Sequence, residues 1–578
     1  MRNKYEFSVA TYLPAAGIEN MSLEDFRAGI DFFEKYCPLD KVYIEPHRNN
    51  TDVSDEKIRA VKALFEERGI EAAGGITTTI QIPGHEKKSL LNSFCYTDTA
   101  CRERLVEIVR RTAALFDEII LDDFYFTACR CEHCIEAKGK KTWAEYRLGL
   151  METVSRDIVK AAKEVNPKIK MIIKYPNWYE SYQETGYNPE KQKDIFDGIY
   201  TGTETRNPKY EQQHLQRYMS YSIIRYLENV SPDRNGGGWI DSYGLSDDIS
   251  GWIEQAEFTL IAKAKEMMLF NFFDMVDSAF LPPLTPRFNK LNSIIKQCGK
   301  PKGVRLYEPY NADGEDQVVN YLGMIGIPFE PSPDFDVADA VVFLPLSAAK
   351  DENIMQKLEK YVRSGNTAII TAGFLKECLE RGLKNMTSVR PTGRTVSGNE
   401  YWVQPYGERR MVFARPEKIH LEALDYKTNA SWCEVSMMTV YNSFPLLTHD
   451  FYGEGNLYIL NVPNDFGDLC SLPKEVTGFI NKVFANGSPY IQSTPRTCMF
   501  LYDNDVIGIY SQKPYADDVE IFPPAKYSAL RDIETGEEFT FFTNSVKNRY
   551  LGEQGIPFKT TRVQIPGGTY RFFKLDKQ

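Results

Sequence analysis

Acidic and polar side chains gather at the ends of short β-like runs in the N-terminal half of this chain, and that is where it could do chemistry. The runs end in Glu45 with His47 and Arg48, in Asp122 and Asp123, and in Lys174 and Tyr175 followed by Trp178 and Tyr179. Further on come Glu204 with Arg206, then Trp239, Asp241 and Tyr243 after Gly236, Gly237 and Gly238, and finally Asn271 and Asp274. Cleaving a glycosidic bond takes one protonated and one ionised carboxyl flanking it. Neighbouring acids and apolar walls split two such groups into those roles. The expected catalytic residues are Asp123, Glu204 and Asp241. Adjacent acids on a strand point to opposite faces, so only one of Asp122 and Asp123 should face substrate directly. Glu204 lies between the flexible Gly202 and the cation of Arg206, and the three glycines before Asp241 permit close backbone approach. Expected substrate-binding residues are Glu45, His47, Asp122, Tyr175, Trp178, Arg206, Trp239, Asn271 and Asp274. Trp178, Tyr179, Trp239 and Tyr243 have faces that can stack on a sugar. The plainer role for any one acid is to hold a loop or pair with an arginine.

Cys129, Cys131 and Cys134 form a second constellation, just after the fourth β-like run. Three thiolates this close can share one tetrahedral cation, and the fourth ligand would come from Cys95, Cys101 or His133. An all-cysteine shell leaves no open position, so the expected zinc is structural. The plain alternative is three ordinary thiols.

These residues need a frame. Runs rich in β-branched and aromatic residues recur at Glu6–Tyr12, Lys41–Glu45, Ile70–Thr79, Glu118–Phe124, Ile169–Tyr175, Phe196–Thr203, Gly237–Tyr243 and Met267–Phe273. Between them, apolar residues at three- and four-residue spacing predict helices at Leu23–Lys35, Ser54–Arg68, Ala100–Leu115, Thr142–Val165, Tyr210–Leu227 and Ile249–Lys265. This is the length and count of a (β/α)8 TIM barrel, over residues 1–298. Such a barrel works at the C-terminal ends of its strands, where the acids fall. Gly299 to Gly303 reads as a linker. A smaller parallel α/β domain follows over 301–487, with an insertion near 386–455 carrying strand-like runs at Arg410–Ala414 and Cys433–Tyr441. Residues 488–578 read as a small antiparallel β-sandwich. With 42% hydrophobic and 26% charged residues, the chain of 578 has the composition of a folded protein. Its net charge of -11 argues against a nucleic-acid partner. No apolar run is long enough to span a membrane, and the start lacks a signal-peptide stretch, so the cytoplasm is expected.

Cys95, Cys101 and Arg102 with the helix after them, then Leu121 to Tyr125 and the Cys129/Cys131/Cys134 cluster, resemble the glycoside hydrolase family 42 β-galactosidases. The resemblance implies zinc held by Cys95, Cys129, Cys131 and Cys134. It also implies a domain order: a catalytic barrel, an amidotransferase-like (flavodoxin-like) α/β domain that trimerises, and a small β domain. A homo-oligomer, trimer or dimer, through the second domain is therefore expected. One departure matters. The family's general acid/base glutamate falls at Phe124, with Asp123 at the preceding asparagine, so the chemistry does not carry over by position. An aspartate at the end of strand four also resembles the nucleophile of α-galactosidase-type barrels, which pair it with an acid near strand six, where Glu204 stands. In family 42 barrels strand seven carries the nucleophile, which favours Asp241.

No Gly-x-x-x-x-Gly-Lys loop, His-Glu-x-x-His helix or Gly-x-Ser-x-Gly elbow occurs. In the second domain Ala372 and Gly373 follow a strand with no cysteine beside them, so that domain is expected to be non-catalytic. The reading is a glycoside hydrolase acting on an oligosaccharide or glycoside. Its alternatives are a lyase acting on uronic acids, in which Lys174, Tyr175 and Arg206 would matter more, and a sugar-binding protein without turnover.

Overall fold

Every second residue of eight short strands points into one shared interior, and this alternation closes the N-terminal half into a barrel. The structure, a computed structural model, describes residues 5–79, 93–210, 213, 215–246, 248–336, 338, 340–403, 411–546 and 556–577. It divides into two compact units, Met1–Lys296 and Gln297–Gln578. In the first, eight parallel strands close on themselves. They are β1 (Ser8–Leu13), β2 (Lys41–Ile44), β3 (Glu71–Ile76) and β4 (Glu118–Leu121), then β5 (Lys170–Tyr175), β6 (Gly198–Gly202), β7 (Asn235–Asp241) and β8 (Glu266–Phe270). Tyr12, Tyr43, Ala73, Ile120, Tyr200, Trp239, Met268 and Phe270 meet in the interior, with Ile172 packed against them. The register sets the strand ends level: Leu121 pairs with Ile173, Tyr175 with Thr201, and Gly202 with Trp239.

The helices start where short polar side chains can take up free backbone N–H groups. Ser22, Ser54 and Asp98 cap the helices Leu23–Tyr36, Asp55–Glu67 and Thr99–Leu115. Thr142 and Glu145 form a reciprocal capping box on Trp143–Val165. The helix expected at Tyr210–Leu227 begins only at Met219 and runs to Val230, because an irregular stretch led by Arg206, in the left-handed region, precedes it. Parts of that stretch lie outside the described residues. The connection between β5 and β6 carries only short turns of helix, a 3-10 turn at Tyr179–Ser181 and one-turn helices at Tyr182–Thr185 and Pro189–Gln192.

The second unit holds a nine-stranded sheet and two smaller antiparallel sheets. Five parallel strands of the large sheet lie in the order Phe329–Ser332, Val304–Tyr307, Val341–Leu344, Thr367–Thr371, Gly455–Leu460. In chain order this is 2-1-3-4-5, the flavodoxin-like arrangement. The stretch expected as an insertion continues the same sheet with four antiparallel strands, Arg390–Val403, Met411–Asp425, Trp432–Met438 and Ser443–Tyr452. Of the run expected at Arg410–Ala414, Arg410 lies outside the described residues. The run expected at Cys433–Tyr441 stops at Met438, since Thr439 and Asn442 close a turn between the strands. In the C-terminal part, Ile507, Ile509, Leu530 and Phe573 of one antiparallel sheet pack against Val519, Ile521, Val563 and Ile565 of the other, a two-layer sandwich. The expected linker is not free chain. Pro301 and Lys302 pair antiparallel with Tyr502 and Leu501, forming an edge strand of the sandwich before the α/β sheet begins. Among the described residues no helix is long and apolar enough to cross a membrane.

Candidate active site

Following the inward alternation to the C-terminal ends of the strands, and just past them, gives the site. Tyr43 leads to Glu45, Ile120 to Asp122, Ile172 to Lys174 and Trp239 to Asp241, while two steps beyond Tyr200 lies Glu204. All five side chains are buried. At their centre, the Lys174 ammonium donates to Asp123 Oδ2 at 2.8 Å and to Glu204 Oε1 at 2.9 Å. Asp122 Oδ1 is 3.7 Å away, and the Trp239 ring lies beneath the ammonium at 4.1 Å. Two oxygens held by one nitrogen at those lengths lie within about 6 Å of each other.

The expectation that only one of Asp122 and Asp123 would face the site is corrected. The strand ends at Leu121, and residues 122–125 form a turn closed by the Tyr125 amide on the Asp122 carbonyl. Strand alternation no longer governs Asp123, and both carboxylates reach Lys174. Their environments still differ. Burial pushes the Asp123 carboxyl up against the pull of Lys174, and the Asp122 and Glu204 carboxylates push it further, to about 7. At Asp122 burial is overcome by the cations of Lys174 and Arg48 and by the Asp123 amide, which hold it below its ordinary value. Burial, against Lys174, raises Glu204, and the Asp241 charge adds to the rise. Asp123 is the member of the group with some exposure, 24% of its side chain.

Partner accounting separates the three expected catalytic acids. Arg206 clamps Asp241 with two bonds, Nε to Oδ1 at 2.9 Å and Nη2 to Oδ2 at 2.7 Å, and the Tyr243 amide adds a third at 3.1 Å. Glu204 Oε2, by contrast, is buried and has no hydrogen-bond partner among the described residues. A buried carboxylate oxygen with nothing to accept from is costly unless a ligand reaches it.

Glu45 accepts from Tyr12, the Ala15 amide, Arg48 and Thr77, and Arg48 also donates to Asp122 at 3.0 Å. His47 is buried, with Nδ1 on Asp52 at 2.9 Å and Nε2 unpartnered. Asn271 caps a short helix and bonds Asp274, so these two satisfy each other. Trp239 is not an exposed platform: it is the floor beneath Lys174, packed on Tyr12 and Phe270. Trp178 packs edge-on against Phe126 and Tyr187, and Tyr243 is about half exposed beside Phe270. Tyr175 is a correction. It is fully buried among Tyr182 and Tyr187 with its hydroxyl toward Gln192, because alternation after Lys174 turns it out of the barrel. Tyr12 and Thr77 were not expected at the site, and Arg48 was noted at a strand end without a role. Tyr12 and Thr77 carry no charge that draws attention, and only their inward positions on β1 and just past β3 could have found them.

The four cysteines also come together. Ligand atoms of Cys95, Cys129, Cys131 and Cys134 lie within 4.8 Å of one another. Cys95 Sγ is 3.7 Å from Cys131 and 3.6 Å from Cys134, and Cys131 is 3.7 Å from Cys134. Zn–S bonds of about 2.3 Å give tetrahedral edges of about 3.8 Å, whereas a disulfide would need about 2.05 Å. The donor set therefore fits a four-coordinate soft metal ion. Cys101 is buried on its helix, outside the cluster.

Residues 1–286 match a family model described as "Probable glycosyl hydrolase, catalytic domain". Residues 299–465 match the second domain of the uncharacterized protein SSO3021. That protein, from Saccharolobus solfataricus, is 27% identical over 374 residues, which are 58% of this chain and 62% of its own length. The chain thus spans less than two thirds of the curated relative it matches. Among solved structures, a catalytic mutant of a GH42 β-galactosidase from G. stearothermophilus is similar with a TM-score of 0.63 at 11% identity over 100% of both chains. The α-L-fucosidase isoenzyme 2 from Paenibacillus thiaminolyticus gives 0.64 at 10% identity, again over 100% of both. At these identities the likeness is one of fold.

Proposed function

We propose that the glycosyl hydrolase catalytic domain matched in residues 1–286 hydrolyses O-glycosidic bonds, with Asp123 as general acid/base and Glu204 as nucleophile. The observation that carries this reading is Lys174, whose ammonium hydrogen-bonds two carboxyls of unlike environment, Asp123 and Glu204. Asp123, pushed up to about 7 and partly exposed, holds a proton for the leaving oxygen. Glu204 keeps one oxygen that no described residue ties up in a hydrogen bond, so its lone pairs stay uncommitted for attack once substrate reaches it. Asp241 has both oxygens engaged by Arg206 and serves as a fixed acceptor for substrate hydroxyls. Two carboxyls whose nearest oxygens share one ammonium, within about 6 Å of each other, favour double displacement, because an inverting pair stands about 6.5–9.5 Å apart to hold a water between. Retention at the anomeric carbon is the outcome.

Glu45, Asp122, Asp123, Glu204 and Asp241 outnumber Arg48, Lys174 and Arg206, and each of these cations already contacts a carboxylate. A uronate would add another negative charge to this surplus, so the substrate is a neutral glycoside and the lyase alternative loses its support.

The cysteine cluster, on this reading, holds a structural zinc that ties the loop around Cys95 to the loop after β4. About one zinc per chain in metal analysis is expected, and its loss from a C129S/C131S variant. Metal-free wild type prepared without chelator would count against it. The flavodoxin-like strand order supports an amidotransferase-like second unit without a nucleophile. Val440 and Tyr441, 86% and 93% exposed at a hairpin turn, support a subunit interface there.

The test of the reaction is turnover of a panel of neutral aryl glycosides. D123N and E204Q are expected to lower kcat/KM by about 10³-fold or more, and D241N by less. Wild-type turnover in both D123N and E204Q would overturn the assignment.

A further inference from the structure

We propose that Lys174 is the common counter-ion of both half-reactions, a positioning residue that neutralises Glu204 in one half and Asp123 in the other without moving. The inference rests on the glycosidase reading above. An ammonium has three N–H bonds to give. One goes to Asp123 Oδ2 and one to Glu204 Oε1, and the rest of the group faces the Trp239 ring and Asp122 Oδ1. Its side chain is 2% exposed, so no bulk water competes for it. The charged groups around it are fixed by partners of their own. Arg48 backs Asp122, and Arg206 backs Asp241. Among the described residues only Asp123 and Glu204 depend on Lys174 as their direct cation.

The balance of the reaction uses this arrangement. Before the first step Asp123 carries the proton and Glu204 is ionised. Glu204 Oε2 then bonds the anomeric carbon while the bond to the leaving oxygen breaks and the Asp123 proton moves to that oxygen. Glu204 is now a neutral ester and Asp123 is anionic. In the second step a water gives a proton to Asp123 as its oxygen bonds the anomeric carbon and the ester bond breaks. Each state puts one negative charge on the same ammonium, in reach of bonds already formed. A group that had to move between two counter-ions would add reorganisation to both steps.

The experiment compares wild type, K174Q and K174R. In K174Q, the ionised forms of both carboxyls lose their cation, so both limbs of the kcat/KM–pH profile should move up by about one pH unit or more. The optimum should fall by about 10²-fold, and K174R should keep both limbs near those of wild type. A K174Q profile that is scaled down with unmoved limbs overturns the inference, as does a K174R profile shifted like that of K174Q. A second readout needs no turnover. Without the cation, buried carboxyls hold protons in the folded state that the unfolded chain releases, so the melting temperature of K174Q should fall more steeply than that of wild type from about pH 5 to about pH 8. Equal slopes overturn it too. An inactive wild type with the steeper K174Q slope would instead count against the glycosidase reading alone.

Discussion

Glu308, in the second unit, shows how much a single carboxyl's surroundings decide. It follows the strand Val304–Tyr307, and burial, opposed by the Ser347 hydroxyl and reinforced by Asp316 and Asp313, pushes it up to about 8. A carboxyl raised in the folded state keeps its proton longer there than in the unfolded chain. Its contribution to stability is whole below the unfolded value of about 4.3 and is lost as pH rises through the folded one. E308Q should therefore melt a few degrees higher than wild type near pH 8.5 and close to wild type near pH 4. Calorimetry at the two pH values checks this, and an equal gain at both would point to packing instead. The same physics separates Asp122 from Asp123. They are neighbours in sequence, yet Arg48 and Lys174 hold one down while burial and like charges push the other up.

At the scale of elements, the glycines before Asp241 have a packing reason. A Cβ on Gly237 would stand 2.3 Å from the Glu266 carbonyl oxygen, and one on Gly238 would stand 2.2 Å from Thr259 Cγ2. On Gly236 the nearest atom, in the Tyr200 ring, would be 3.1 Å away. G237A pushes backbone against backbone between β7 and β8, and should cost about 1–3 kcal/mol in chemical denaturation, with G236A costing less. Equal costs would mean that close approach is not what the triplet serves. The glycines were legible in the sequence as a signal of close approach, but not the strand they approach. Likewise the alternation of β2, β4, β5 and β7 places Glu45, Asp122, Lys174 and Asp241 inside. It fails at Asp123 because a turn replaces the strand there, and that turn is what brings a second acid to Lys174.

For the whole molecule, the barrel was legible because each βα unit is local: its strand and helix signals lie within one short stretch of chain. The cysteine cluster was legible for a similar reason, with three ligands in six positions. What the sequence hid depends on distant pairings. Pro301 and Lys302 read as linker because their partners, Tyr502 and Leu501, lie some two hundred residues away, and the residues around 386–455 read as an insertion because nothing local shows that they extend the parallel sheet. The central ammonium was hidden in the same way. Lys174 was visible at the end of a strand, but its three carboxylate neighbours come from two other strands, and no spacing shows which cation meets which acid.

Trp239 has a consequence beyond packing. The chain has 6 tryptophans, and this indole lies 4.1 Å under the ammonium that holds the two carboxyls. A change of charge so close to an indole shifts its excited-state energy, so the emission of Trp239 is expected to move as the carboxyl pair above it titrates, and a W239F variant should lose that pH-dependent shift. On that expectation the barrel floor is an internal optical gauge of the site's charge before any sugar is bound.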